Sequence, residues 1–84
     1  MIGTEKNEVA NWFHATGARF LRSLGIGTGW RILDFGAGMG SYAVPLARVV
    51  GDDGVVYAVD TSPERLGQID KNLPAELHGT VHPL

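Results

Sequence analysis

The sequence contains no cysteine among its 84 residues. It therefore has neither a disulfide framework nor a thiolate zinc site to replace a missing core. A chain of this length forms one domain at most, and it buries only about 60–65% of its unfolded surface. Its fold must depend on a small hydrophobic core or on a partner that completes it.

Basic residues are scarce. The sequence has 7 Lys and Arg against 9 Asp and Glu, for a formal net charge of −2. A protein that binds nucleic acid by neutralising phosphates needs the opposite balance. We therefore expect no nucleic-acid partner.

Long hydrophobic runs are also lacking. The longest apolar stretch, Ala43–Val50, is interrupted by Pro45 and Arg48 and is far shorter than the roughly 20 residues that span a bilayer. Residues 1–6 show neither a basic start followed by an apolar core nor a glycine at position 2. We expect a cytoplasmic protein without a membrane span.

Apolar residues at helical spacing predict an amphipathic helical region over residues 7–24. Gly17 lies inside it and costs roughly 1 kcal/mol relative to alanine, which leaves open one helix or two helices that meet near residues 15–17. Arg19 and Arg22 lie toward the other side and are interpreted as a solvated face. The apolar set is Val9, Trp12, Phe13, Phe20, Leu21 and Leu24.

Two short apolar segments predict buried strands. The first is Arg31–Phe35, which is followed by a glycine-rich turn at residues 36–40 and a helix that begins near Ser41. The second is Val55–Val59, which ends at Asp60.

A second helix follows the second strand, and Pro74 stops it. Its start fits two registers: Ser62 as the cap with Pro63 at the first helical position, or Thr61 and Glu64 as a capping box.

This order of elements predicts an α/β fold, a partial Rossmann-like βαβα unit with parallel strands, preceded by the amphipathic helical region. We divide the chain into a leading helical region at 1–30, the βαβα unit at 31–74 and an unassigned tail of a truncated domain at 75–84. The tail holds at most a short third strand around residues 80–81.

The glycines at 36, 38 and 40 lie where a strand passes into a helix, and there the backbone approaches a ligand closely. Asp60, 24 positions after Gly36, ends the next strand. The carboxyl ends of adjacent parallel strands open into one crevice, so this carboxylate is placed to accept hydrogen bonds from both hydroxyls of a ribose. Together the loop and the acid predict an adenosine site.

The charge of Asp34 bears on which adenosine cofactor this is. Two residues before the first glycine, its carboxylate would repel the pyrophosphate of a dinucleotide but favours the cationic groups of S-adenosylmethionine. The glycine order is also G-x-G-x-G rather than the dinucleotide form G-x-G-x-x-G. A fragment of an NAD-dependent oxidoreductase stays open as the alternative.

Residues 31–40 and 55–60 resemble the start of class I S-adenosylmethionine-dependent methyltransferases, closest to the group that includes quinone-biosynthesis methyltransferases. The resemblance implies that the glycine loop contacts the methionine part of the cofactor, that Asp60 binds the ribose, and that Thr61 lies beside the adenine. Ala37 stands where many members carry cysteine and contributes mainly backbone. The implied cofactor-binding residues are Asp34, Gly36, Ala37, Gly38, Gly40, Asp60 and Thr61.

The resemblance implies methyl transfer to a small molecule, but it identifies no catalytic residue here. Family members have a seven-stranded sheet, so the chain is interpreted as a fragment, with a second chain that completes the sheet or with no independent activity. His78 and His82 are four residues apart, yet Gly79 and Pro83 argue against a shared helical face, and we expect no metal site.

Overall fold

A computed structural model describes residues 5–84, with side chains from residue 8 onward. Residues 1–4, the start of the predicted leading region, lie outside the described residues. Three parallel strands form one open sheet in the order β1-β2-β3: β1 at Arg31–Phe35, β2 at Val55–Val59 and β3 at Val81–Pro83. The predicted partial Rossmann-like α/β fold is confirmed.

The register of the sheet brings the carboxyl ends of β1 and β2 side by side. Arg31 pairs with Val55 at one end and Phe35 with Val59 at the other. The tail adds β3 beside β2, and its pairing reaches Pro83, beyond the short strand expected at residues 80–81.

Helices precede and connect the strands. α4 begins in the first of its two predicted registers, with Ser62 as the cap. Ser62 Oγ accepts a hydrogen bond of 3.3 Å from the main-chain nitrogen of Arg65, and Pro63 occupies the first turn. The helical segments are α1 at Glu5–Asn11, a π-helical turn at Trp12–Thr16, α2 at Gly17–Ser23, α3 at Ala43–Val50, α4 at Pro63–Asn72 and a 3-10 turn at Ala75–Leu77. None of these helices, within residues 5–84, has the length and apolarity needed to cross a membrane.

The leading region is helical from residue 5 to residue 23, so it does not divide into two separate helices near residues 15–17. Its irregularity is the wider turn at Trp12–Thr16. Gly17, the first residue of α2, lies where α2 crosses α3 at close range. A Cβ atom at Gly17 would lie 2.6 Å from the carbonyl oxygen of Trp12 and 2.8 Å from Pro45 Cγ.

The core lies between the sheet and the helices. Every residue of α3 except Arg48 is buried, and Val56 and Ala58 of β2 are fully buried beneath the helices. Side chains that alternate with the buried ones point to the other face, where Leu33 is 50% and Phe35 74% exposed. One face of the sheet therefore carries the core and the other is open.

Candidate functional site

The glycine loop at the end of β1 presents bare backbone to open space. Gly36 and Gly38 have φ angles of +71° and +58°, in the region that L side chains rarely adopt. A Cβ atom at Gly36 would meet nothing within 4 Å, and one at Gly38 would meet only the Gly36 carbonyl oxygen at 3.9 Å. A ligand is therefore able to approach the main chain closely at these two positions.

Two other residues of the loop face the core. A Cβ atom at Gly40 would lie 3.2 Å from Val44 Cγ2 and 3.4 Å from Ile69 Cγ1, so this glycine lets α3 and α4 pack closely. Ala37 is also buried, and its main-chain nitrogen donates a 2.9 Å hydrogen bond to the Val59 carbonyl oxygen. Both residues shape the loop from beneath.

Asp60 joins the end of β2 to this loop. Its Oδ2 accepts a hydrogen bond of 2.9 Å from the Gly38 nitrogen, and its Oδ1 accepts one of 2.9 Å from the Ser62 nitrogen. These main-chain donors, Ser62 first and then Gly38, hold the pKa of the carboxyl below its ordinary value. The carboxylate stays ionised and keeps lone pairs for hydroxyl donors. Thr61, next to it, is exposed.

Asp34 lies on β1 opposite Ala58 of β2. Its Oδ2 is buried and has no hydrogen-bond partner among the described residues. Buried polar atoms are normally paired, and desolvation raises the pKa of this carboxyl. A ligand that brings a positive charge or a hydrogen-bond donor would complete the environment of Asp34.

Two side chains support the loop from outside it. Asn72 Nδ2, at the end of α4, donates a 2.9 Å hydrogen bond to the Met39 carbonyl oxygen. Trp12 Nε1 donates a hydrogen bond to the Ser41 carbonyl oxygen. The Trp12 ring packs edge-on against the Tyr42 ring, with 5.6 Å between the ring centroids. The helical spacing of the aromatic residues signalled Trp12 as a packing residue, but no sequence pattern signals Asn72.

The residues fit a phosphate-free adenosyl cofactor that carries positive charge. The loop at residues 36–40 offers space and backbone, and the Asp34 carboxylate near the end of β1 would repel a pyrophosphate. Asp60 offers an ionised acceptor for hydroxyls, and Asp34 offers an unpaired carboxylate oxygen. In the part of the chain that the structure describes, no group of three or more His, Asp or Glu residues is arranged to hold a metal ion.

The fold is that of class I S-adenosylmethionine-dependent methyltransferases. Residues 1–82 match the family model of protein-L-isoaspartate(D-aspartate) O-methyltransferase. The chain belongs to this family. The narrower likeness to quinone-biosynthesis methyltransferases is not confirmed, and nothing in the comparisons supports an NAD-dependent oxidoreductase.

Solved structures agree with the family. A protein-L-isoaspartate O-methyltransferase is 29% identical, with a TM-score of 0.65, over 79% of this chain and 21% of that one. An S-adenosylmethionine-dependent methyltransferase from Aquifex aeolicus is 27% identical, with a TM-score of 0.71, over 89% of this chain and 40% of that one. An S-adenosylmethionine-dependent O-methyltransferase from Thermotoga maritima is 27% identical, with a TM-score of 0.71, over 99% of this chain and 34% of that one.

The chain thus spans 21% to 40% of the length of these three structures. No curated protein matches it.

Proposed function

We propose that this chain binds S-adenosylmethionine and forms the cofactor-binding part of a methyltransferase. The observation that carries the proposal is the hydrogen bond from the Gly38 nitrogen to Asp60, which brings an ionised carboxylate against a bare glycine loop. The domain limits proposed from the sequence place this unit at residues 31–74. The residues proposed to form the site are Asp34, Gly36, Ala37, Gly38, Gly40, Asp60 and Thr61.

Each part of the site has a distinct task. Asp60 holds the ribose through its remaining lone pairs, and Thr61 lies on the adenine side of it. Gly36 and Gly38 admit the methionine part against the main chain, while Ala37 and Gly40 fix the loop on the core. Asp34 attracts the cationic groups directly or through a water molecule.

When bound, S-adenosylmethionine supplies an electrophilic methyl group on a sulfonium leaving group. The protein contributes chiefly by orienting the cofactor for in-line attack by the acceptor, and such positioning removes about 7–11 kcal/mol of the barrier in favourable cases. No side chain of the site is assigned as a general base.

An oxygen atom is the proposed methyl acceptor. The family model and two of the similar structures carry O-methyltransferase names, whereas the sequence alone favoured an unspecified small molecule. Peptide isoaspartyl carboxylates and small hydroxylated molecules are the two acceptor classes to compare. Transfer of labelled methyl to an isoaspartyl peptide, and not to a small phenol, would favour the first.

The open edge of β1 supports a further polypeptide partner for activity. β1 is an edge strand of the described sheet, and its side chains Leu33 and Phe35 are exposed. Unpaired strand edges and apolar sheet faces favour pairing with more protein. We therefore expect further polypeptide to complete the sheet for catalysis.

Calorimetry on the 84-residue chain tests the cofactor proposal. Separate titrations with S-adenosylmethionine and NAD are expected to give heat with the first compound alone. S-adenosylhomocysteine, which lacks the sulfonium charge, should bind more weakly than S-adenosylmethionine if Asp34 attracts that charge. Heat with NAD and none with S-adenosylmethionine would overturn the proposal.

A further inference from the structure

A second concave site lies on the helical side of the protein, away from the glycine loop. It is a cavity of about 400 Å³ where the π-helical turn and α2 meet α3 and the 3-10 turn. Ala15, Ala18 and Leu77 line it with apolar surface. None of its lining residues belongs to the loop at residues 36–40 or is one of the two site carboxylates.

The remaining lining residues are cationic or basic. Arg19, Arg22 and Arg48 line the cavity together with His14, and no Asp or Glu is among the described residues that line it. Three of the 7 Lys and Arg residues of a chain with net charge −2 therefore line one cavity. Positive charge is thus concentrated at this cavity, whereas the chain as a whole is slightly acidic.

Two of the arginines donate hydrogen bonds to main-chain oxygens, a short one from Arg48 and a long one from Arg22. Arg48 Nε donates a 2.8 Å hydrogen bond to the Phe13 carbonyl oxygen, and Arg22 Nη2 donates one of 3.5 Å to the Arg48 carbonyl oxygen. These bonds use one nitrogen of each guanidinium, so other donors of each group remain. Arg19 makes no side-chain hydrogen bond among the described residues, and it is exposed.

The geometry points to a binding site for a small organic phosphate, with the phosphate on the three guanidinium groups and the apolar body on Ala15, Ala18 and Leu77. Guanidinium groups recognise phosphate oxygens bidentately, and several of them match a doubly charged phosphomonoester better than a single carboxylate. The cavity volume falls within the range of small-molecule pockets. A nucleic acid needs a longer basic track, which this acidic chain does not offer.

The test uses the 84-residue chain and phenyl phosphate as the probe, with binding followed by calorimetry. Phenyl phosphate should bind at least about tenfold more tightly than phenol, which lacks the anion, and than inorganic phosphate, which lacks the apolar body. Arg19→Gln should weaken binding of phenyl phosphate about tenfold, because it removes a charge-assisted contact. Arg31→Gln is the matched control: it removes the same charge from an exposed position outside the cavity and should leave binding unchanged.

Three results from these ligands and arginine variants would overturn the proposal. Equal losses in Arg19→Gln and Arg31→Gln would show a response to net charge only. Equal affinity for phenyl phosphate and phenol would show that the arginines do not bind the phosphate. Tighter binding of a single-stranded oligonucleotide, again lost in Arg19→Gln, would assign the cavity to nucleic acid instead.

Two further measurements separate this site from the cofactor site and from folding. Phenyl phosphate affinity should be the same in Asp60→Asn as in the unmodified chain, and a parallel loss there would place the phosphate in the cofactor crevice and overturn the proposal. Circular dichroism should give the same helix content for Arg19→Gln and Arg31→Gln.

Discussion

Asp60 Oδ2 lies 2.9 Å from the main-chain nitrogen of Gly38, 22 residues earlier in the chain. This hydrogen bond fixes the loop after β1 to the residue that ends β2. The carboxylate proposed to hold the ribose and the backbone proposed to hold the methionine part are thus one structural unit, and a change at Asp60 affects both.

Asp60→Asn should weaken S-adenosylmethionine binding at least about tenfold. The amide has one acceptor oxygen where the carboxylate has two, and charge-assisted hydrogen bonds are stronger than neutral ones. Calorimetry on the variant measures the loss. Asp53→Asn, in the exposed turn before β2, is the matched control and should bind as the unmodified chain does; an unchanged affinity in Asp60→Asn would show that Asp60 does not hold the ribose.

Asp34→Asn should raise stability and lower cofactor affinity. Burial raises the pKa of this carboxyl, so its ionised form is less favourable in the folded state than in the unfolded chain. The amide removes that penalty and raises Tm, but it also removes the charge that attracts the cofactor. Thermal unfolding and calorimetry measure the two effects, and a lower Tm in the variant at neutral pH would contradict the desolvation argument.

The affinity for S-adenosylmethionine should fall on acidification, and Asp34 should titrate before Asp60. Asp34 has its pKa raised by burial, whereas main-chain donors lower the pKa of Asp60. As the pH decreases, Asp34 is therefore protonated first and its attraction for the cation is lost while Asp60 is still ionised. Affinity measured against pH should show this first step in the unmodified chain and lack it in Asp34→Asn.

The stability contribution of Asp60 has the opposite pH dependence to that of Asp34. The pKa of Asp60 is lowered in the folded state, so Asp60 stabilises the protein at pH values above its ordinary pKa. This stabilisation is lost as the pH falls through the lowered pKa of the folded state. The penalty at Asp34 is instead complete above its raised pKa and is lost as the pH falls from there to the ordinary value.

Gly17→Ala and Gly67→Ala should change stability in opposite directions. A Cβ atom at Gly17 would meet Trp12 and Pro45 at less than 3.0 Å, and such overpacking costs roughly 1–3 kcal/mol. Gly67 lies within α4 with nothing within 4 Å of its Cβ position, so alanine there should stabilise the helix by about 0.5–1 kcal/mol. Urea unfolding measures both, and a stabilising Gly17→Ala would show that α2 and α3 do not approach so closely.

Local signals predicted the first two strands with their observed limits. Arg31–Phe35 and Val55–Val59 are short apolar runs bounded by glycines and by Asp60, and these boundaries are encoded next to each strand. α3 begins at Ala43, two residues after the expected start near Ser41. β3 extends to Pro83 through its pairing with β2, which is a contact between distant segments that its own weak strand pattern does not show.

The candidate site, like the fold, was predicted only in part from the sequence. The spacing of the glycines and of Asp60 predicted which residues meet at the carboxyl ends of the strands, because the topology of a parallel pair follows from the order of the elements. The spacing did not show that Ala37 and Gly40 face the core while Gly36 and Gly38 face open space. It also did not show that Asn72 binds the Met39 carbonyl oxygen.

The order of strands and helices, the glycine loop and the acid that follows β2 can be derived from the amino-acid sequence, since they depend on apolar periodicity and on turn chemistry between neighbouring residues. Three features become visible only in the folded chain: the hydrogen bond from the Gly38 nitrogen to Asp60, the crossing of α2 and α3 at Gly17, and the cavity lined by three arginines. These features arise from contacts between segments far apart in the chain, and the packing of the core fixes their distances and directions.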